Sequence, residues 1–162
     1  MSELFINKAR ALAVTGHRVI ANDFDKNSLK EDFIKFIDKG FDTFLIGMAL
    51  GFDTLCFKTL LELKKDYKNV KLIACIPCKS QSYKFTKTQK EDYENMLSLA
   101  DEKVVLSEEY TPTCMQKRNK FMVDNASILL AYIYKDYGGT ASTVKYAIKQ
   151  NVPVYKVKGS ID

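Results

Sequence analysis

Short, nearly continuous apolar runs alternate with longer amphipathic stretches along the chain. The runs ALAVTG (11–16), DTFLIG (42–47), VKLIACIP (70–77), KVVL (103–106), SILLAYIY (127–134) and PVYKV (153–157) have the length and composition of β-strands. Periodic segments lie between them. In 28–40, Leu29, Phe33 and Ile37 repeat every four residues, with a capping box expected from Ser28 and Glu31 and a stop at Gly40. From Gly51 a second helix sets Phe52, Leu55, Cys56 and Leu63 on one face. Residues 86–100 do the same with Tyr93, Met96, Leu97 and Ala100, and further helices are predicted over 114–126 and 141–150.

Strands that are apolar on both sides belong in a sheet covered on both faces. Helices between consecutive strands act as crossovers and make neighbouring strands parallel. The pattern therefore predicts an α/β fold, a doubly wound sandwich with a mostly parallel sheet of about six strands and helices on both faces. No linker, repeat or low-complexity stretch divides the 162 residues, so 1–162 is expected to form one domain. The longest irregular stretches, 17–27 and 77–86, are of a length that often carries function.

Composition narrows the partners. No apolar run approaches the roughly 20 residues of a membrane-spanning helix, so no membrane role is expected. The N-terminal MSELFINKAR is too polar for a signal peptide, and the cytoplasm is the expected compartment. The net charge of +5 comes from lysines spread among acids rather than gathered on one element. Nucleic acid is therefore not the expected partner, whereas a mild positive excess helps to draw in a small anion. Cys75 and Cys78 have CxxC spacing, but Cys75 closes a strand and neither a second CxxC nor a nearby histidine completes a metal set. The pair reads as one small core residue and one loop residue. No metal and no cofactor is expected.

Ligands of open parallel sheets bind beyond the carboxyl ends of the strands. Four strand ends carry glycine, hydroxyl or cationic residues: TGHR (15–18), GMALGFDT (47–54), PCKSQ (77–81) and KDYGGT (135–140). Glycines let backbone approach a phosphate closely, and helix N-termini offer free N–H groups with partial positive charge. Neither glycine cluster is a P-loop, and neither is GxGxxG. Their coincidence on one edge is the argument. Candidate binding residues are Thr15, Gly16, His17, Arg18, Gly47, Gly51, Asp53, Arg118, Asn119, Gly138, Gly139 and Thr140, with Ser142 as a further hydroxyl. Arg118 shares a helix face with Met115 and Met122, so it must snorkel out, pair with an acid or face a cleft. Asp53 stands in a first helical turn, where it either serves the helix end or bonds ribose hydroxyls.

AVTGHR, GMALGFDT, IPC…Q and MQKRNKFMVDNASILLAYIYKDYGGT together resemble the YpsA-like family of the SLOG superfamily, over residues 11 to 155. That superfamily also contains the Lonely Guy phosphoribohydrolases and DprA. The resemblance implies a Rossmann-like sheet whose loops bind a nucleotide or a nucleotide-derived ligand. MQKRNKFM (115–122) is similar to the Lonely Guy pattern M-H-x-R-K-x-x-M, and by that match Arg118 takes the position of a catalytic arginine. GGT (138–140) falls near their P-G-G-x-G-T-x-x-E, but Ser142 or Thr143 stands where the glutamate belongs, and Lys117 and Asn119 also depart from the pattern. Cleaving a glycosidic bond needs a carboxylate. Asp53 is the candidate for it, and Asp136 a weaker one.

Three functions are therefore expected, in this order. The first is a binding protein for a nucleotide or an NAD- or ADP-ribose-like metabolite, used for sensing or regulation. The second is a nucleotide hydrolase working with Arg118 and Asp53, and the third is an interaction scaffold with a vestigial pocket. Tyr83 or Phe85 is a candidate for stacking on a base, and a homodimer is expected by analogy with proteins of this fold.

Overall fold

A computed structural model of the chain describes residues 4–161. Met1–Glu3, the start of the polar N-terminal stretch, and Asp162 lie outside them. The strands are β1 (Ala11–Gly16), β2 (Thr43–Ile46), β3 (Lys71–Ile76), β4 (Glu102–Val105), β5 (Ile128–Tyr132) and β6 (Val154–Lys156). The helices are α1 (Lys26–Asp38), α2 (Phe52–Leu63), α3 (Lys87–Leu99), α4 (Cys114–Asp124) and α5 (Gly139–Lys149), with a 3-10 turn at Lys8–Arg10. The strands pair in the order β4-β3-β2-β1-β5-β6, and every pairing is parallel.

Alternation along the central strands explains why they read as continuous apolar runs. Leu12, Val14, Phe44, Ile46, Leu72 and Leu130 point to a core closed by α1, α2 and α3, where Phe33, Phe57, Leu60 and Met96 meet them. Ala11, Ala13, Leu45, Ile73 and Leu129 point to the opposite core under α4 and α5, with Met122, Val123, Val144 and Ala147. Period-two strands with both faces buried leave no polar alternation to see. The edge strands β4 and β6 are largely exposed, as edges are, and carry charged residues such as Glu102, Lys103 and Lys156.

Local chemistry sets the helix ends, and it corrects one expectation. Helix α1 begins before Ser28, capped by Asp25, whose carboxylate accepts from the Ser28 N–H at 2.9 Å. The Ser28/Glu31 capping box does not form, because Asp25 already takes the free donor one turn earlier. A capping box does form at α3, between Thr86 and Gln89. Helix α5 starts at Gly139, two residues before the expected start.

The strand order places the site. The order in which strands are added reverses at β1, with β2 to β4 on one side and β5 and β6 on the other, and β1 and β5 pair from Leu12↔Ile128 to Gly16↔Tyr132. Connections from these two strands leave to opposite faces, so a crevice opens between their carboxyl ends. The long loop after β1 is pinned across this crevice. Tyr132 Oη accepts from the Ala21 N–H at 3.2 Å, Tyr134 Oη donates to the Val19 carbonyl at 2.7 Å, and Phe24 packs edge-on against Tyr132.

Candidate functional site

A cavity of about 430 Å³ lies at the β1/β5 crevice. Loops after β1, β2 and β5 and the inner face of α4 line it, and they bring Thr15, Gly16, His17, Arg18, Gly47, Asp53, Arg118, Asn119, Gly139 and Thr140 together. Two residues read as part of the site lie elsewhere. Gly51 faces a second cavity, and Gly138 lines a smaller one beside Asn119 and Ser142. Asp136 is exposed and lines neither of the first two.

Arg118 is only 5% exposed. Its Nη1–H donates to the Gly47 carbonyl, and its Nε–H donates to Asn119 Oδ1 at 2.7 Å. Among the described residues, no carboxylate lies within ion-pair distance of it. Burial lowers its pKa, while the nearby Asp53 acts in the opposite direction. A buried guanidinium whose hydrogen-bond partners are neutral, and whose charge Asp53 offsets only from beyond ion-pair distance, attracts an anion. The direct structural ion pair that could have explained Arg118 is not present.

The Gly47–Gly51 loop holds Asp53 beside it. Asp53 is buried in the first turn of α2, and its Oδ2 accepts from the Ala49 N–H at 3.1 Å. It therefore ties the loop as well as serving the helix end. Burial raises its pKa to about 6, with Arg118 and Arg18 pulling the other way. The same loop carries Met48 in the left-handed region at φ 62, a conformation that a non-glycine side chain adopts at a cost.

The two helix N-termini near the site differ in their first N–H groups. Gly138, at φ 93, is the N-cap of α5 and supplies no side-chain bond to its first turn. The first N–H of α2, from Phe52, is already taken by the His17 carbonyl at 3.1 Å. Thr140 is buried at the cavity wall, while the Thr143 hydroxyl donates back to the Gly139 carbonyl at 2.8 Å and so serves the helix. His17 Nε2 accepts from the Tyr134 N–H at 3.1 Å, which makes the ring neutral with its proton on Nδ1. Burial, then the Lys135 charge, lowers its pKa.

Three contributors were not among the residues named for the site, although two of them stand in strand ends singled out above. Lys135 lines the cavity directly. Tyr134 lines it too, and its ring packs on His17 with centroids 4.2 Å apart. Gln81 lies outside the cavity but donates from Nε2 to the Gly47 carbonyl at 2.9 Å, and its Oε1 accepts from Tyr93 Oη at 2.8 Å. Gln81 was visible as part of IPC…Q, yet only the tertiary structure shows which carbonyl it holds. Of the two aromatics proposed for stacking, Tyr83 is 78% exposed, and Phe85 packs edge-on against Tyr93. Cys75 is in the core and Cys78 in the following loop, and both are buried and free.

The all-parallel order and the crevice at the β1/β5 reversal define a Rossmann-like α/β protein with its candidate site at the carboxyl edge of the sheet. The family model YpsA, described as the YspA SLOG family, matches residues 8–158, and the chain belongs to this family. It is 32% identical over 118 residues to the SPbeta prophage-derived protein YoqJ of Bacillus subtilis, covering 65% of this chain and 69% of YoqJ. It is 27% identical over 157 residues to a UPF0398 protein of Brevibacillus brevis, covering 93% and 82%. Among solved structures, it is similar to the DNA processing protein A of Streptococcus pneumoniae, with a TM-score of 0.71 and 20% identity, over 95% of this chain and 52% of that one. The Helicobacter pylori protein of the same name, described by its single-stranded DNA binding mode, superposes with a TM-score of 0.66 at 16% identity, over 93% and 66%. At these identities the likeness is one of fold. This chain spans about half the length of the Streptococcus protein.

Proposed function

We propose that the β1/β5 cavity binds a nucleotide or nucleotide-derived metabolite, and that occupancy serves sensing or regulation. The observation that carries this reading is Arg118, buried on the cavity wall without a carboxylate at ion-pair distance among the described residues. Two of its five N–H donors have protein partners among the described residues, and the others are free for a phosphate. The uncapped first turn of α5 adds backbone donors, and Arg18 and Lys135 add positive charge. Asp53, Thr15 and His17 Nδ1–H are groups suited to ribose hydroxyls.

Hydrolysis is the second reading. It rests on Asp53, a buried carboxyl with a pKa near 6 in the same cavity as Arg118. A group titrating there takes and gives a proton near neutral pH, as a general acid or base must.

A thermal-shift screen tests both readings, using nucleoside mono- and diphosphates, NAD, ADP-ribose and a short single-stranded oligonucleotide. A ligand at a hundred times its dissociation constant stabilises the native state by about 2.7 kcal/mol. The expected result is a shift with a mononucleotide or dinucleotide that is lost in Arg118→Lys and reduced in Arg18→Ala. Release of base or sugar phosphate from that ligand, abolished in Asp53→Asn, would favour hydrolysis. A shift with the oligonucleotide alone would transfer the reading to nucleic acid, and no shift at all would leave an interaction scaffold.

A further inference from the structure

A second cavity, of about 650 Å³, adjoins the first. The Gly47–Gly51 loop is the partition, with Gly47 and Ala49 facing the first cavity and Met48 and Leu50 the second. Arg18 lines both. At the partition Gly51 adopts φ +85, and a Cβ there would collide with the Arg18 carbonyl, so backbone meets backbone where the cavities join.

The walls of this second cavity differ in chemistry from the first. Met48 and Met96 are 2% and 4% exposed, and Tyr93 is buried between α3 and the sheet. Phe85 stands edge-on to Tyr93, with ring centroids 5.6 Å apart. The thioethers and aromatic rings make a polarisable apolar slot in one portion of the wall, which suits a flat ring, while Arg18, Lys26 and the Lys58–Asp92 ion pair line the rest. The slot also has a polar reader. The Gln89 carboxamide oxygen accepts from the Thr86 N–H at 2.9 Å, so its NH2 group is the part left to donate to a ring edge. A hydrogen-bond chain holds the two cavities in fixed relation, since Tyr93 of the second donates to Gln81, which shares the Gly47 carbonyl with Arg118 of the first.

We infer that the second cavity is a binding site for a planar heterocycle of the nucleobase class. Together with the reading of the first cavity as a phosphate and sugar site, on which this extension rests, one ligand lies across Arg18, with its base on the methionine side.

Methionine methyl NMR separates the two halves, because Met48 and Met96 line the second cavity while Met115 and Met122 line the first. The ring current of a bound base moves nearby methyl signals. The probes are the four common nucleosides, their 5′-monophosphates and ribose 5-phosphate. The expected result is that at least one nucleoside and its monophosphate shift the Met48 and Met96 methyls, whereas ribose 5-phosphate shifts only Met115 and Met122. Ala21 is an exposed residue on the second cavity's lining, so Ala21→Trp fills the slot without entering the core. It is expected to weaken the base-bearing probes by about tenfold or more and to leave ribose 5-phosphate unchanged. Base-bearing probes that shift only Met115 and Met122 would overturn the inference. So would an Ala21→Trp protein that binds them as tightly as wild type, or a panel that never moves Met48 and Met96. If nucleosides move Met48 and Met96 while ribose 5-phosphate moves nothing, the heterocycle site stands and the phosphate reading of the first cavity falls.

Discussion

The Arg118 guanidinium donates through Nη1 to the Gly47 carbonyl, so helix α4 and the carboxyl end of β2 meet at one atom. A Cβ at Gly47 would lie 2.7 Å from that Nη1 and 2.8 Å from Cζ, too close for either to remain in place. Gly47 is not among the positive-φ residues, so the effect of Gly47→Ala is steric and falls on the arginine. It is expected to destabilise the protein by about 1–3 kcal/mol in urea unfolding and to abolish the ligand-induced thermal shift. A Gly47→Ala protein with wild-type nucleotide affinity would remove Arg118 from the site.

Asp53 sets a pH dependence whose sign is unusual for a carboxylate. Its folded pKa, about 6, lies above the unfolded value of about 3.9. The native state therefore holds the proton more tightly. This group's contribution to stability is greatest below about pH 4, declines as pH rises to about 6 and is constant above that. The span is on the order of 3 kcal/mol. His17 acts in the opposite sense, because burial and Lys135 lower its pKa and protonation in acid then costs stability. Asp53→Asn retains an acceptor for the Ala49 N–H and leaves His17 unchanged, so the difference between the two proteins isolates Asp53. The variant is expected to lose the decline between pH 4 and 6 and to be more stable than wild type at pH 7. Parallel stability profiles would mean that Asp53 is solvated.

Two site glycines are expected to respond in opposite ways. Gly51→Ala forces a side chain into φ +85 and onto the Arg18 backbone, which cannot rotate away. A loss of about 2 kcal/mol or more is expected, measured by denaturant titration. Gly139 has no positive φ, and nothing lies within 4 Å of an added Cβ. Gly139→Ala should leave stability within about 0.5 kcal/mol of wild type while weakening phosphate-bearing ligands, because the methyl enters the space where a phosphate would approach α5. Unchanged affinity in Gly139→Ala would argue against a phosphate at that helix end.

The start of α1 can be tested by a pair of surface variants. Asp25→Ala removes the acceptor for the Ser28 N–H and the 3.1 Å contact with Lys158, and it is expected to lower the melting temperature measurably. Ser28→Ala should be near neutral, since its side chain caps nothing among the described hydrogen bonds. The reverse ranking in thermal unfolding would restore the capping box over Ser28 and Glu31.

Much of the fold was legible in the chain because its signals are local. Apolar runs bounded by turn residues mark six strands, and four-residue spacing marks helices such as α1 with Leu29 and Phe33. Alternation of the two element types favours a parallel sheet, since a helical crossover carries the chain back to begin the next strand in the same direction. Position at a strand end was enough to name Thr15, Gly47, Asp53 and Thr140. Its place in an apolar helix stripe singled out Arg118, and the family pattern added a catalytic role to it.

What the tertiary structure decided depends on which atoms meet across long sequence separations. No local pattern states that Arg118 and Gln81 share the carbonyl of Gly47, 71 and 34 residues away. Nor does any pattern state that Gly51 faces a second cavity while Gly47 faces the first. Burial shifts the pKa of Asp53 only because α2, α4 and the loop after β1 close around it, and desolvation is a property of the packed whole. Periodicity and chain direction are written residue by residue, and they set the elements, their parallel arrangement and the edge where the candidate site lies. The partners of each polar group, and the division of the site into two cavities, exist only once distant segments pack together.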